Sequence, residues 1–197
     1  DAYPARTRNA EDCKEAFVSF CGLECTPKCV YSDNAPEIIS AVKAMGSRET
    51  TCTPHVPSTN GVAENAVRKV TEGTSCALVQ SGFSHQWWNS AMRCYCFLRN
   101  VTDIQHFGTT PYVARHGTQL NGHRIPFGAE VGYLRFGSNT KVIRDHPFDE
   151  KVHKALFLGY DTRPGGFWSG NYLVIDAETI NNAHNLRNIR AIKVKDV

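Results

Sequence analysis

The chain has 197 residues, 41% of them hydrophobic and 21% charged, the balance of one or two globular domains with a sizeable core. Its net charge is only +3, and no apolar run approaches the roughly 20 residues that a membrane-spanning helix needs. Composition therefore points away from a membrane protein, and nothing at the start of the chain resembles a signal peptide. The charge is unevenly spread. Residues 1–111 carry 10 Lys and Arg against 11 Asp and Glu, whereas residues 112–197 carry 12 against 8. A near-neutral first part and a basic second part suit a catalytic domain with a polyanion-binding appendage. They suit an ordinary solvated surface equally well.

In chain order, "DAYPART" reads as the end of a strand and lacks an initiating Met, so the chain is expected to be a fragment of a longer protein. Asn9 is placed to cap the first helix, with Glu11 and Asp12 in its first turn favouring the dipole. Cys13, Ala16, Phe17, Phe20 and Cys21 recur at helical spacing and give that helix one apolar face. "CVYSDN" is a β-type run ending in turn residues. Pro36 suits the first turn of a second helix, whose Ile38, Ile39, Val42 and Met45 form a face and which stops at Gly46. "ETTCT" reads as a short strand. The stretch "HVPSTNG" is a loop, and it feeds a helix from about Asn60 to Gln80.

Ser84 is the expected cap of the next helix, along which Trp87, Trp88, Ala91, Tyr95 and Leu98 make a broad stripe expected to be buried. "TTPYVARHG" is a short helix with a Gly stop. The pattern then changes: "AEVGYLRF", "KALFLGYD", "YLVID" and "IRAIKVKDV" are β-rich runs separated by Gly, Asn and Pro. The expected class is α/β, with an α/β part over residues 1–120 and a small β-rich part over 121–197.

Eight cysteines raise the question of zinc or disulfides. Cys21, Cys25 and Cys29 are spaced C-x3-C-x3-C, but zinc sites more often pair Cys two to four apart with a second Cys/His pair downstream, and no such second pair is present in the sequence. Reduced, structural cysteines are the expectation.

Two carboxylates stand out by position. Asp33 directly follows a β-run, and Glu64 opens a helix after a loop. An Asp at the end of a strand lies where α/β sites commonly form. A second carboxylate on a nearby helix could converge with it on Mg²⁺, which takes few carboxylates plus waters and phosphate oxygens. Spacing alone leaves the plainer reading open, because Asp in turns and Glu in first helical turns are both common.

The surrounding words add weight. "YSDNAPEII" followed by "TPHVPSTNGVAENAVRKV" resembles the core of retroviral-type integrases, specifically those of copia-like LTR retrotransposons. "WWNSAMRCYCFLRNVT", "TTPYVARHG" and "IPFGAEVGYLRF…HKALFLGYD" resemble the segments downstream of that core in the same polyproteins, the last block being similar to their SH3-like β domain. The resemblance covers nearly the whole chain. It implies a truncated RNase H-like core followed by an SH3-like domain, and a triad of carboxylates holding two Mg²⁺ or Mn²⁺ ions. Asp33 matches the second carboxylate and Glu64 the third. The implied activity is processing of DNA 3′ ends and their joining to target DNA, in the nucleus and by an oligomer of the full-length parent. Asn34 would support the turn at Asp33. Asn60 and Gly61 would bring the loop close to DNA, and Arg68, four residues past Glu64, would contact it. Without the resemblance, Arg68 reads as a surface partner of Glu64, Lys69 as a solvated charge and His55 as polar surface.

The match also departs from the family. The first catalytic Asp belongs on an earlier strand, and Asp1 reads as a bystander. Only 30 residues separate Asp33 from Glu64, fewer than is usual, and the usual "DNG" is "DNA", with Ala35 in place of Gly. The family's N-terminal zinc domain has no counterpart in this sequence. The expectation is that this chain alone binds metal weakly or not at all and is inactive. The alternative is a degenerate transposon-derived fragment that binds DNA without catalysis.

Overall fold

The computed structural model describes residues 1–51, 61–106, 108–135, 148, 151–182 and 189–197. Packing divides them into two units. Unit 1 comprises Asp1–Gly73 and Thr162–Phe167, and unit 2 comprises Thr74–Asp161 and Trp168–Val197.

Unit 1 is α/β. Helix α1 (Ala10–Cys21) starts at Asn9, whose side chain accepts the Asp12 N–H at 2.7 Å. Residues 1–8 form no strand. Instead the Thr7 N–H and hydroxyl both donate to the Asp12 carboxylate, turning the chain into the helix. Strand β1 (Cys29–Ser32) leads to helix α2 (Pro36–Ala44) and then strand β2 (Arg48–Thr51). β1 and β2 pair in parallel, from Cys29 opposite Arg48 to Ser32 opposite Thr51, with α2 as the crossover between them. Helix α2 packs against α1 and both strands. Its Ala41 and Val42 are 1% and 0% exposed and anchor the unit, whereas no residue of α1 is fully buried. The tip segment Thr162–Phe167 belongs to this unit: the Gly165 N–H donates to the Ser19 carbonyl at 2.8 Å near the end of α1. Helix α3 (Gly61–Ser81) begins in unit 1 and continues past Gly73 into unit 2.

Unit 2 packs the trailing helices against a sheet. Helix α4 (Trp88–Thr102) follows a single 3-10 turn, and α5 (Pro111–His116) is capped by the Thr110 hydroxyl and stopped by left-handed Gly117. Four strands follow in the spatial order β3 (Glu130–Leu134), β4 (Val152–Thr162), β5 (Trp168–Asp176) and β6 (Ile192–Val194), with the short helix α6 (Ala177–Asn182) after β5. The β3–β4 and β5–β6 pairs are antiparallel. The core gathers Ala91, Cys94, Phe97 and Val101 of α4 with Tyr112 of α5 and Phe157, Tyr160, Tyr172 and Val174 of the sheet. The ring of Phe97 stacks on Tyr160 with centroids 4.3 Å apart. Phe157 and Val174 are wholly buried, each contributing roughly 1.5–3 kcal/mol. Gly159 is favoured here by its backbone, at φ +147°, while an added Cβ would only touch that of Cys94, at 3.4 Å.

In unit 2, α4 and α5 turn their apolar faces to the β-sheet. Of the α4 stripe read in sequence, Ala91 is buried and Trp87 and Leu98 pack against the core, whereas Trp88 is 46% exposed. The fully buried positions also include Cys94, Phe97 and Val101. Tyr95 instead lies beneath the Arg99 guanidinium, 5.9 Å from its ring centre. The α/β class followed by a β-rich sheet is as read from the sequence.

Candidate functional site

Asp33 is the first residue past β1, at the carboxyl end of a parallel strand. Its position is fixed by short-range bonds. The Ala35 N–H approaches Oδ1 at 3.4 Å, and the Ser32 hydroxyl donates to the Asp33 carbonyl at 3.0 Å. The turn then enters α2 at Pro36, whose fixed φ suits a first helical position. Ala35 sits at φ −68° and ψ 119°, ordinary extended backbone, so Ala in place of Gly does not disturb this turn. Glu37 follows in the first turn of α2 and pairs with Arg8 at 2.5 Å. A hydrogen bond from its own backbone, and then Arg8, hold its carboxyl below the usual carboxylate range.

Glu64 lies in the first turn of α3, as read from the sequence. From Gly61 to Lys69 every residue is exposed, including Val62 and Val67. Asn60 and His55 lie outside the described residues. Gly61 opens the helix with no left-handed backbone angle, and a Cβ there would meet open space. A backbone only Gly can adopt is thus not what this position requires. Arg68 does not pair with Glu64. Its Nη2 donates to Asn65 Oδ1 at 2.9 Å, and its Nη1 lies 3.7 Å from Glu72 Oε1. Both partners follow from helical geometry, three residues back and four forward. That spacing is legible in "ENAVRKVTE", and it is the signal that marks Asn65 and Glu72 as neighbours of the basic residue.

Carboxylate oxygens are the right donors for a Mg²⁺-type ion, and Asp33 and Glu64 supply that chemistry. Among the described residues, however, no three His, Cys, Asp or Glu side chains gather as an ion-holding group. Asp33 and Glu64 are donors of the right kind, and among the described residues neither they nor Cys21, Cys25 and Cys29 belong to such a group.

No protein-family model matches the sequence. Among solved structures, the catalytic core domain of BIV integrase aligns with 58% of this chain and 75% of its own, at 22% identity and a TM-score of 0.43. A chain in the simian T-cell lymphotropic virus intasome, solved in complex with the PP2A regulatory subunit B56 gamma, aligns with 99% of this chain at 13% identity and a TM-score of 0.49. This chain covers 66% of the length of that second structure. Among the described residues no helix is long and apolar enough to cross a membrane.

Proposed function

We propose that this chain is part of an integrase of the copia-like retrotransposon type, acting in the joining of DNA ends to target DNA. Unit 1 would be a partial RNase H-like core, and the sheet of unit 2 an SH3-like domain. The observation that carries the reading is the placement of the two motif carboxylates. Asp33 of "SDN" stands at the carboxyl end of a parallel strand, in a turn where the Ala35 N–H approaches its carboxylate. Glu64 of "NGVAE" stands in the first turn of a helix whose opening is open to solvent on every side. A DNA backbone has access to that surface, and Arg68 on it supplies a cation for a phosphate. In this proposal Asp33 and Glu64 are two ligands of Mg²⁺ or Mn²⁺, and the family pattern requires a third. The partners are the element's DNA ends, target DNA and further copies of the full-length protein, meeting in the nucleus.

The test is strand transfer by a longer polypeptide that supplies the first Asp. Glu64→Gln should abolish Mg²⁺-dependent joining while DNA binding persists. Normal joining by that variant would remove Glu64 from the site.

A second reading is that the chain binds DNA without catalysis: among the described residues no three carboxylate, His or Cys donors gather. Titration of the 197-residue chain with Mn²⁺, followed by electron paramagnetic resonance, separates the two. Tight uptake that Asp33→Asn removes supports a working metal site, and no uptake supports a DNA-binding fragment.

A further inference from the structure

Resting on the DNA-binding reading above, we propose that Asn65 is a positioning residue for Arg68 and that Glu72 is the anion a DNA phosphate must displace from it. The two contacts of the guanidinium are unequal. The Asn65 bond, at 2.9 Å, is a true hydrogen bond to a neutral acceptor. The Glu72 approach, at 3.7 Å, is too long for one and is only a Coulombic attraction between exposed groups. Asn65 therefore holds one nitrogen of the fork and restricts where the group can swing. Nη1 is left facing a loosely held carboxylate. An arginine binds phosphate through two adjacent N–H groups in a rigid plane. Restricting that swing beforehand reduces the side-chain freedom lost on binding. Glu72 occupies the same cation only weakly, so its displacement costs little but lowers affinity.

All three side chains lie on the stretch of α3 that includes Glu64. Asn65 and Glu72 thereby acquire roles toward DNA without touching it. The plainer reading is an exposed helical pair with no consequence beyond a few tenths of a kcal/mol of helix stability.

The two readings separate in a double-mutant cycle. The 197-residue chain is titrated against a short fluorescent DNA duplex of mixed sequence at low salt, with anisotropy as the readout. Asn65→Ala should weaken binding about threefold, the size of one modest hydrogen bond. Glu72→Gln should tighten it by about as much. Both effects should collapse when Arg68 is already Ala. Alanine has the higher helix propensity, so weaker binding by Asn65→Ala does not come from a lost helix, and circular dichroism checks this. Effects that persist in the Arg68→Ala background overturn the proposal, as does unchanged binding by Asn65→Ala where Arg68→Ala itself weakens it. If Arg68→Ala binds as wild type, or the chain does not bind the duplex at all, the DNA-binding reading fails and takes this inference with it.

Discussion

Arg68 pairs forward along α3 with Glu72, its Nη1 3.7 Å from Oε1, and leaves Glu64 outside the pair. Both partners are more than 60% exposed, so the pair adds little stability. Under the proposed function, the pair leaves Glu64 available to a metal ion and holds Arg68 only weakly. Arg68→Ala should weaken DNA binding evenly across sequences and lower the slope of log affinity against log salt by about 1. Titrations at several salt concentrations check this. An unchanged slope would show that Arg68 meets no phosphate.

The hydroxyl of Tyr160 satisfies two backbone groups of one loop. It accepts the Ile125 N–H at 2.8 Å and donates to the His123 carbonyl at 2.9 Å. Tyr172 holds the same loop by accepting the His123 N–H at 2.8 Å. Tyr160→Phe keeps the stack on Phe97 but removes both bonds, at a cost of about 1–3 kcal/mol. Urea unfolding should show a lower midpoint with an unchanged slope.

Tyr133 is buried in β3 and donates to Asp176 at 2.9 Å. Burial, and then that bond, push its phenol up to about 12. The folded state thus keeps a proton that an unfolded tyrosine loses near pH 10. Stability should be fully present below about pH 10 and decline as pH rises toward 12. Tyr160 is shifted upward too, chiefly by burial, so Tyr133→Phe should flatten the alkaline limb of the stability curve without removing it. An alkaline limb as steep as wild type would contradict this.

The cysteines should differ sharply in reactivity. Cys25, Cys29 and Cys76 are exposed, whereas Cys94 is 1% exposed and burial pushes its thiol up to about 12. Because the thiolate is the nucleophile, iodoacetamide at mildly alkaline pH should modify the first three quickly. Cys94 should react only after denaturant is added, and mass spectrometry of the peptides will show the order.

Much of the fold was legible because its boundaries are set locally. Asn9, Pro36 and Gly117 act on the few residues beside them, and each marks a helix end that the structure reproduces. Asp33 and Glu64 were legible for the same reason, since a strand end and a first turn are local features. The face of α4 was not. That helix carries large apolar or aromatic groups on several sides, and periodicity cannot choose between Trp88 and Cys94 without knowing where the sheet lies. The pinning of the 123–125 loop by Tyr160 and Tyr172 was equally invisible, because it joins residues far apart in sequence. From the sequence, the partner of Arg68 reads as Glu64, four residues back, but Glu72 lies four residues forward, and equal spacing cannot choose between them.

The bond from the Gly165 N–H to the Ser19 carbonyl bears on any attempt to cut the molecule into pieces. A truncation ending at Gly73, or at the compositional break near residue 120, removes Thr162–Phe167 from the unit to which it belongs. The carbonyl near the end of α1 would then be left to solvent. Unit 1 is discontinuous along the gene. A stand-alone version would have to carry the tip as a grafted turn, and insertions at Pro164–Gly166 should be tolerated less well than their place in a hairpin loop implies.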